Sequence, residues 1–165
     1  MRRHSSGQSL VEMALMLPML LMVLFGIMDL GYYIYGYSTI YFSARNGTEV
    51  AAELPPYPNQ LNNGSDPCTN RIFDVTQEGV VLFSDFSTNN VTVSYPNGNT
   101  SRALGQPIEV RVQYAIQPLT PLFRLIRFGD SQGRLTVNIA ARRTIESLGN
   151  GPPTVLNPEG IVCGE

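Results

Sequence analysis

Residues 7–33 read GQSLVEMALMLPMLLMVLFGIMDLGYY. From Met13 to Met28 no side chain is charged, and one carboxylate closes the run at each end, Glu12 before it and Asp29 after it. Sixteen helical residues cover about 24 Å, a little less than a hydrocarbon core of about 30 Å. The missing length is supplied beyond Asp29, where LGYYIYGYSTIYFSA continues the apolar character. Tyr32, Tyr33, Tyr35, Tyr37 and Tyr41 follow as aromatics do where a helix leaves lipid for headgroups. Asp29 is therefore expected near the outer boundary of a bilayer and not at its centre, where its charge would cost most.

Arg2, Arg3 and His4 precede the run, and the next basic residue is Arg45. The positive-inside rule puts the N-terminus in the cytoplasm and residues 45–165 outside. A cleaved secretory signal fits poorly, because its apolar region is shorter and ends at small residues, which Phe42-Ser43-Ala44 matches badly. An uncleaved anchor fits the hydropathy equally well but gives Glu12 no purpose.

Outward from this run, residues 8–53 read as one helix of about 69 Å. Pro55-Pro56 ends it, since proline has no amide donor and disfavours helix in the residue before it. In the outer half Ala44, Val50 and Ala51 are expected against a folded domain, with Arg45, Glu49 and Glu53 in water and Arg45–Glu49 paired one turn apart. Pro18 lies inside the membrane part, where neighbouring groups can satisfy the carbonyl it frees. It reads either as a kink without consequence or as a loosening that helps a subunit leave the bilayer.

Residues 55–67, PPYPNQLNNGSDP, form a loop. Asp66 and Thr69 are expected to start a short helix through Arg71, Ile72, Phe73 and Val75. The clearest strand is Ile108, Val110, Val112, Tyr114 and Ile116 alternating with Glu109, Arg111, Gln113 and Gln117. Val91, Val93 and Tyr95 form a second, and Leu135, Val137, Ile139 and Ala141 a third. Asn97-Gly98 marks a turn, Gly79 to Phe86 an edge strand, and residues 148–165 an irregular tail. Together these give an α+β fold: a small antiparallel sheet whose apolar face lies on the outer half of the helix.

The composition excludes several functions. Eleven basic residues, all arginine, against 13 acidic ones leave a net charge of −2, which does not make a nucleic-acid-binding surface. The single histidine, His4, lies ahead of the apolar run, so the outer domain cannot build histidine-based acid–base chemistry or a catalytic triad. Asp66, Asp74, Glu78, Asp85, Glu109 and Asp130 are scattered and read as solvated turn and strand-edge acids. A phosphate-binding glycine loop would need a lysine, and NNGSDP lacks the spaced oxygens of a calcium loop. No metal site and no cofactor are expected. Cys68 and Cys163 would close a long loop if the domain is extracytoplasmic; two separate buried thiols fit the sequence as well.

The residues around Glu12 resemble a known pattern. Gly7, Gln8-Ser9-Leu10-Val11, Glu12 and an apolar run resemble the class III signal of type IV pilin-like proteins. More closely, Gly7, Val11, Glu12, Ala14 and Pro18 match the G-x-x-x-V-E-x-A-x-x-x-P core of TadE-like pseudopilins of tight-adherence (Tad/Flp) pilus systems. YFSARNGTEVAAE, with Ala44, Arg45, Gly47, Ala51 and Ala52, resembles the end of that family's first helix, and VQYAIQPLTPLF is also similar.

The resemblance implies a pilin-like fold and a structural, non-enzymatic subunit. Residues 1–7 would be a leader removed by a prepilin peptidase between Gly7 and Gln8, which makes Glu12 the fifth residue of the mature chain. Residues 8–53 would be the long helix, membrane-spanning over about 10–31, and residues 54–165 the extracytoplasmic domain. Glu12 would neutralise the amine of a neighbouring subunit and so act on register. The partners implied are other pilins, the pilus assembly platform and inner-membrane lipid, and the subunit would be a minor component of an adhesion pilus. The alternatives are an uncleaved single-pass protein whose outer domain binds a partner, and an anchored extracytoplasmic enzyme.

Overall fold

The structure, a computed structural model, describes residues 6–80, 82–96, 102–149, 154–155 and 157–163. The expected Asn97-Gly98 turn lies outside them. The elements are α1 (Ser6–Glu53), α2 (Pro67–Glu78), a 3₁₀ turn (Thr88–Asn90), β1 (Val91–Ser94), β2 (Pro107–Ile116), α3 (Leu122–Leu125) and β3 (Leu135–Thr144). A long N-terminal helix packed by its outer part on a three-stranded antiparallel sheet is the expected α+β plan. The chain divides into two compact units, residues 37–115 with 136–165, and residues up to 36 with 116–135.

In the first of these units the strands lie in the order β1-β2-β3, with β1 antiparallel to β2 in a register that runs from Val91↔Val112 to Ser94↔Glu109. The period-two pattern does what it should: Ile108, Val110, Val112 and Tyr114 are buried while Arg111 and Gln113 are exposed. Ile40, Ala44, Val50, Ala51 and Leu54 supply the helix side of the core, and Ile72 and Phe73 of α2 close it. Asp66 caps α2 by accepting from the Thr69 amide at 2.8 Å. Gly47 sets how closely the layers meet. A Cβ there would collide with Thr76 Oγ1 and touch Val110 Cγ1 at 3.4 Å, so only glycine lets α1 approach both α2 and β2.

The end of α1 shows where its last carbonyls go, a question every helix must answer. The amides of Glu146 and Ser147 donate to Ala52 O at 2.9 and 3.3 Å. Arg102 Nε donates to Pro55 O at 2.6 Å, and its guanidinium lies 4.1 Å from the centre of the Tyr57 ring. The Tyr95 hydroxyl donates to Pro56 O, and burial pushes its pKa up to about 12 against the opposing pull of Arg102. Cys68 and Cys163 are joined in a disulfide, with Cα atoms 5.2 Å apart, which ties the C-terminal segment to α2.

Two expectations need correction. Described residues between Gly79 and Phe86 form no edge strand. Successive turns, Phe83 N to Val80 O and Phe86 N to Phe83 O, bury Val80 and Phe83 and set both Phe83 and Phe86 against the Tyr114 ring. Aromatic packing on β2 outweighs the strand propensity of this short stretch. Glu109 and Asp66 are also not solvated acids, since both are buried. Glu109 lies between Arg111, at 2.8 Å, and Arg142. The hydrogen bond from Arg111, joined by that from Arg142, outweighs the desolvation penalty and holds its pKa below the usual carboxylate value.

Candidate functional site

The N-terminal part of α1 carries the residues singled out above. From Leu10 to Leu24 every side chain is exposed, and large apolar groups cover all sides of the helix. The helix that carries this segment is long and apolar enough to cross a membrane. A helix apolar all round is stable only when lipid or other helices cover it. Gly7 is exposed, with open space where a Cβ would stand. Glu12 sits on the exposed surface just before the uncharged run. The helix continues through Pro18 without a break. Gly7, Glu12 and Pro18 thus share one exposed helix, while Cys68 and Cys163 belong to the sheet-bearing unit.

Beyond the exposed run the helix changes character. Asp29 is wholly buried. Its Oδ1 accepts from the backbone amides of Leu119 and Thr120, both at 2.9 Å, and its Oδ2 from the Thr120 hydroxyl. A buried carboxylate is tolerable when several donors replace its water, as here. One turn on, the Tyr33 hydroxyl donates to Gly133 O at 2.5 Å and its ring packs 5.6 Å from that of Phe123. One turn back, Leu122 lies over Gly26.

The segment from 117 to 134 that meets these residues is built for that fit. Arg127 adopts a left-handed conformation, φ 52°, and ends α3. The Phe128 amide then bonds back to Phe123 O at 3.0 Å, with the two rings 4.9 Å apart, the hydrogen bond and apolar contact of a Schellman end. Gly133, at φ 75°, faces the Phe123 carbonyl so closely that any Cβ would clash. Asp130 accepts from the amides of Gln132 and Arg134 and from Arg134 Nε, all at 2.8 Å. Those bonds, the Arg134 amide's first, hold its pKa below the usual range.

Asp29 was expected at a membrane boundary but not as a tether. The usable signal was a lone carboxylate after an apolar run together with a distant Leu-Thr-Pro turn able to supply donors. Among the described residues no group of His, Cys, Asp and Glu side chains could hold a metal.

Residues 7–49 match the sequence model of the family described as TadE-like protein. The matched stretch takes in Gly7, Glu12, Pro18, Asp29 and Gly47, and the chain is TadE-like over that length. No curated protein and no solved structure matches the chain. The matched residues lie on the one described helix that is long and apolar enough to cross a membrane.

Proposed function

We propose that this chain is a pseudopilin subunit of a Tad-type adhesion pilus. It inserts with its N-terminus in the cytoplasm, loses residues 1–7 to a prepilin peptidase at Gly7-Gln8, and is held in the inner membrane by residues 10–31. The observation that carries this reading is the TadE-like match over residues 7–49, which takes in a helical stretch, Leu10 to Leu24, whose apolar side chains are exposed on every side. Such a surface suits lipid first and neighbouring pilin helices later, so the subunit can pass from bilayer to assembly without refolding. Cleavage frees an amine four residues before Glu12, and the Glu12 carboxylate of one subunit neutralises the amine of the next. A buried unpaired charge is costly while a pair is tolerated, so the pair fixes register. The outer domain then faces other pilus components and the assembly platform.

Intact mass and N-terminal sequencing of the protein from host membranes test this. A mature chain that starts at Gln8, and is lost on Gly7→Trp, is the expected result. Glu12→Gln should leave cleavage intact and reduce assembly. An uncut chain that retains Arg2 and Arg3 would reject the pseudopilin reading in favour of an anchored binding domain.

A further inference from the structure

We propose that the β2–β3 connection, residues 117–134, is a membrane-interface element that rests in the outer leaflet of the bilayer spanned by α1, with Asp29 as its tether. The inference rests on the reading that α1 crosses the membrane. The membrane-spanning residues 10–31 form a helix of about 33 Å against a hydrocarbon core of about 30 Å. Asp29 stands about 3 Å from the outer end of that span and therefore falls at the boundary between hydrocarbon and headgroups. The connection is bound at that level by the three hydrogen bonds to Asp29, by Leu122 over Gly26 and by Tyr33 with Phe123 and Gly133. Helix residues 26–33 span about 10 Å, so the bound segment lies at the depth of the headgroups and first acyl carbons.

Its surface chemistry suits that depth. Leu119, Leu125, Ile126 and Phe128 are large, apolar and exposed, Leu125 to 79%. Water is a poor solvent for four such groups on one short connection. Arg124 and Arg127, interleaved with them, are exposed and take part in no ion pair among the described residues. Apolar side chains that reach into acyl chains, with guanidinium groups at phosphate level, are the pattern of an interfacial segment. The exposed apolar surface also continues directly from α1 within the same compact unit. This continuity and the free cations favour lipid phosphate over a protein groove as the occupant.

The test uses the full chain in phosphatidylethanolamine–phosphatidylglycerol vesicles, labelled with an environment-sensitive dye on Leu125→Cys or, separately, on Leu20→Cys, without reductant. The Leu125 dye should emit to the blue of the free dye–cysteine adduct, lose iodide quenching, and be quenched by nitroxide on shallow acyl carbons. The Leu20 dye should be quenched best by deep nitroxide. Asp29→Ala should shift the Leu125 dye toward water and leave the Leu20 dye unchanged. A Leu125 dye open to iodide while Leu20 stays deep overturns the interface assignment alone. Protection of Leu125 that rises with protein-to-lipid ratio, without nitroxide quenching, assigns the face to a second subunit and also overturns it. A Leu20 dye outside the lipid rejects the membrane-spanning reading itself. An Asp29→Ala chain in which the Leu125 dye does not move removes the tether.

Discussion

The two halves of α1 share one backbone and present opposite surfaces. From Leu10 to Leu24 the helix is apolar and exposed on every side. From Ile40 to Thr48 burial returns every three or four residues, at Ile40, Ser43, Ala44, Gly47 and Thr48, and Val50, Ala51, Ala52 and Leu54 beyond are all buried, while Arg45 stays exposed and pairs with Glu49 at 3.4 Å. The contrast teaches where each half finds its cover. An amphipathic stripe means that the rest of the chain supplies the partner on one side. An apolar surface without a polar face means that the partner is lipid or other chains. The two carboxylates that bracket the uncharged run differ in exposure: Asp29 is buried, and Glu12 stands on the exposed surface.

Four experiments in mild detergent test whether the two halves of α1 find their cover in different places. The largest effect is expected from the disulfide, which closes a sequence separation of 95. Its reduction should cost about 4 kcal/mol by the loop-entropy model, seen as a lower urea midpoint for the sheet-bearing unit with the helical signal of the apolar segment retained. Next, Ile40→Ala, at a fully buried position, should destabilise by about 2–5 kcal/mol. Leu20→Ala, on the exposed half, should leave the same urea midpoint unmoved; a comparable loss there would mean that the apolar half is packed within the chain.

Glycine offers a finer version of the test. Gly47→Ala must displace Thr76 or Val110 and should cost about 1–3 kcal/mol. Gly31→Ala, with nothing within 4 Å, should change stability by less than about 0.5 kcal/mol or raise it slightly through helix propensity. The smallest effect concerns acid. Glu109 has a folded-state pKa below its ordinary 4.5 because of Arg111 first and Arg142 with it. Its contribution is therefore present above the unfolded value and lost as pH falls through the folded one. Urea midpoints measured downward from about pH 5 should fall for the native chain and fall less steeply for Glu109→Gln.

Much of this architecture was readable from local pattern. Pro55-Pro56 marked the end of α1 to within two residues, Asp66 marked the start of α2, and alternation in 108–116 and 135–141 identified both long strands and their buried faces. Gly7, Glu12 and Pro18 stood out because each is unusual for an apolar helix. Residues 80–86 misled, since a short run of Val, Leu and Phe has strand propensity on its own and only the Tyr114 ring, some thirty residues on, converts it to turns. Glu109 sat on the polar face as its alternation required, yet two arginines from different positions in the sheet close over it.

Local residue pattern accounts for the long helix, the length of its apolar part, the strand faces and the TadE-like motif around Glu12. Each of these is written in residues a few positions apart, where backbone propensity and periodicity act. Long-range packing is what places Asp29 under Leu119 and Thr120, joins Cys68 to Cys163 and encloses Glu109. Those choices join residues 33 to 95 positions apart for Glu109–Arg142, Asp29–Thr120 and the disulfide. At such separations the pairing is selected by how packed elements meet, and no local pattern of side chains records it.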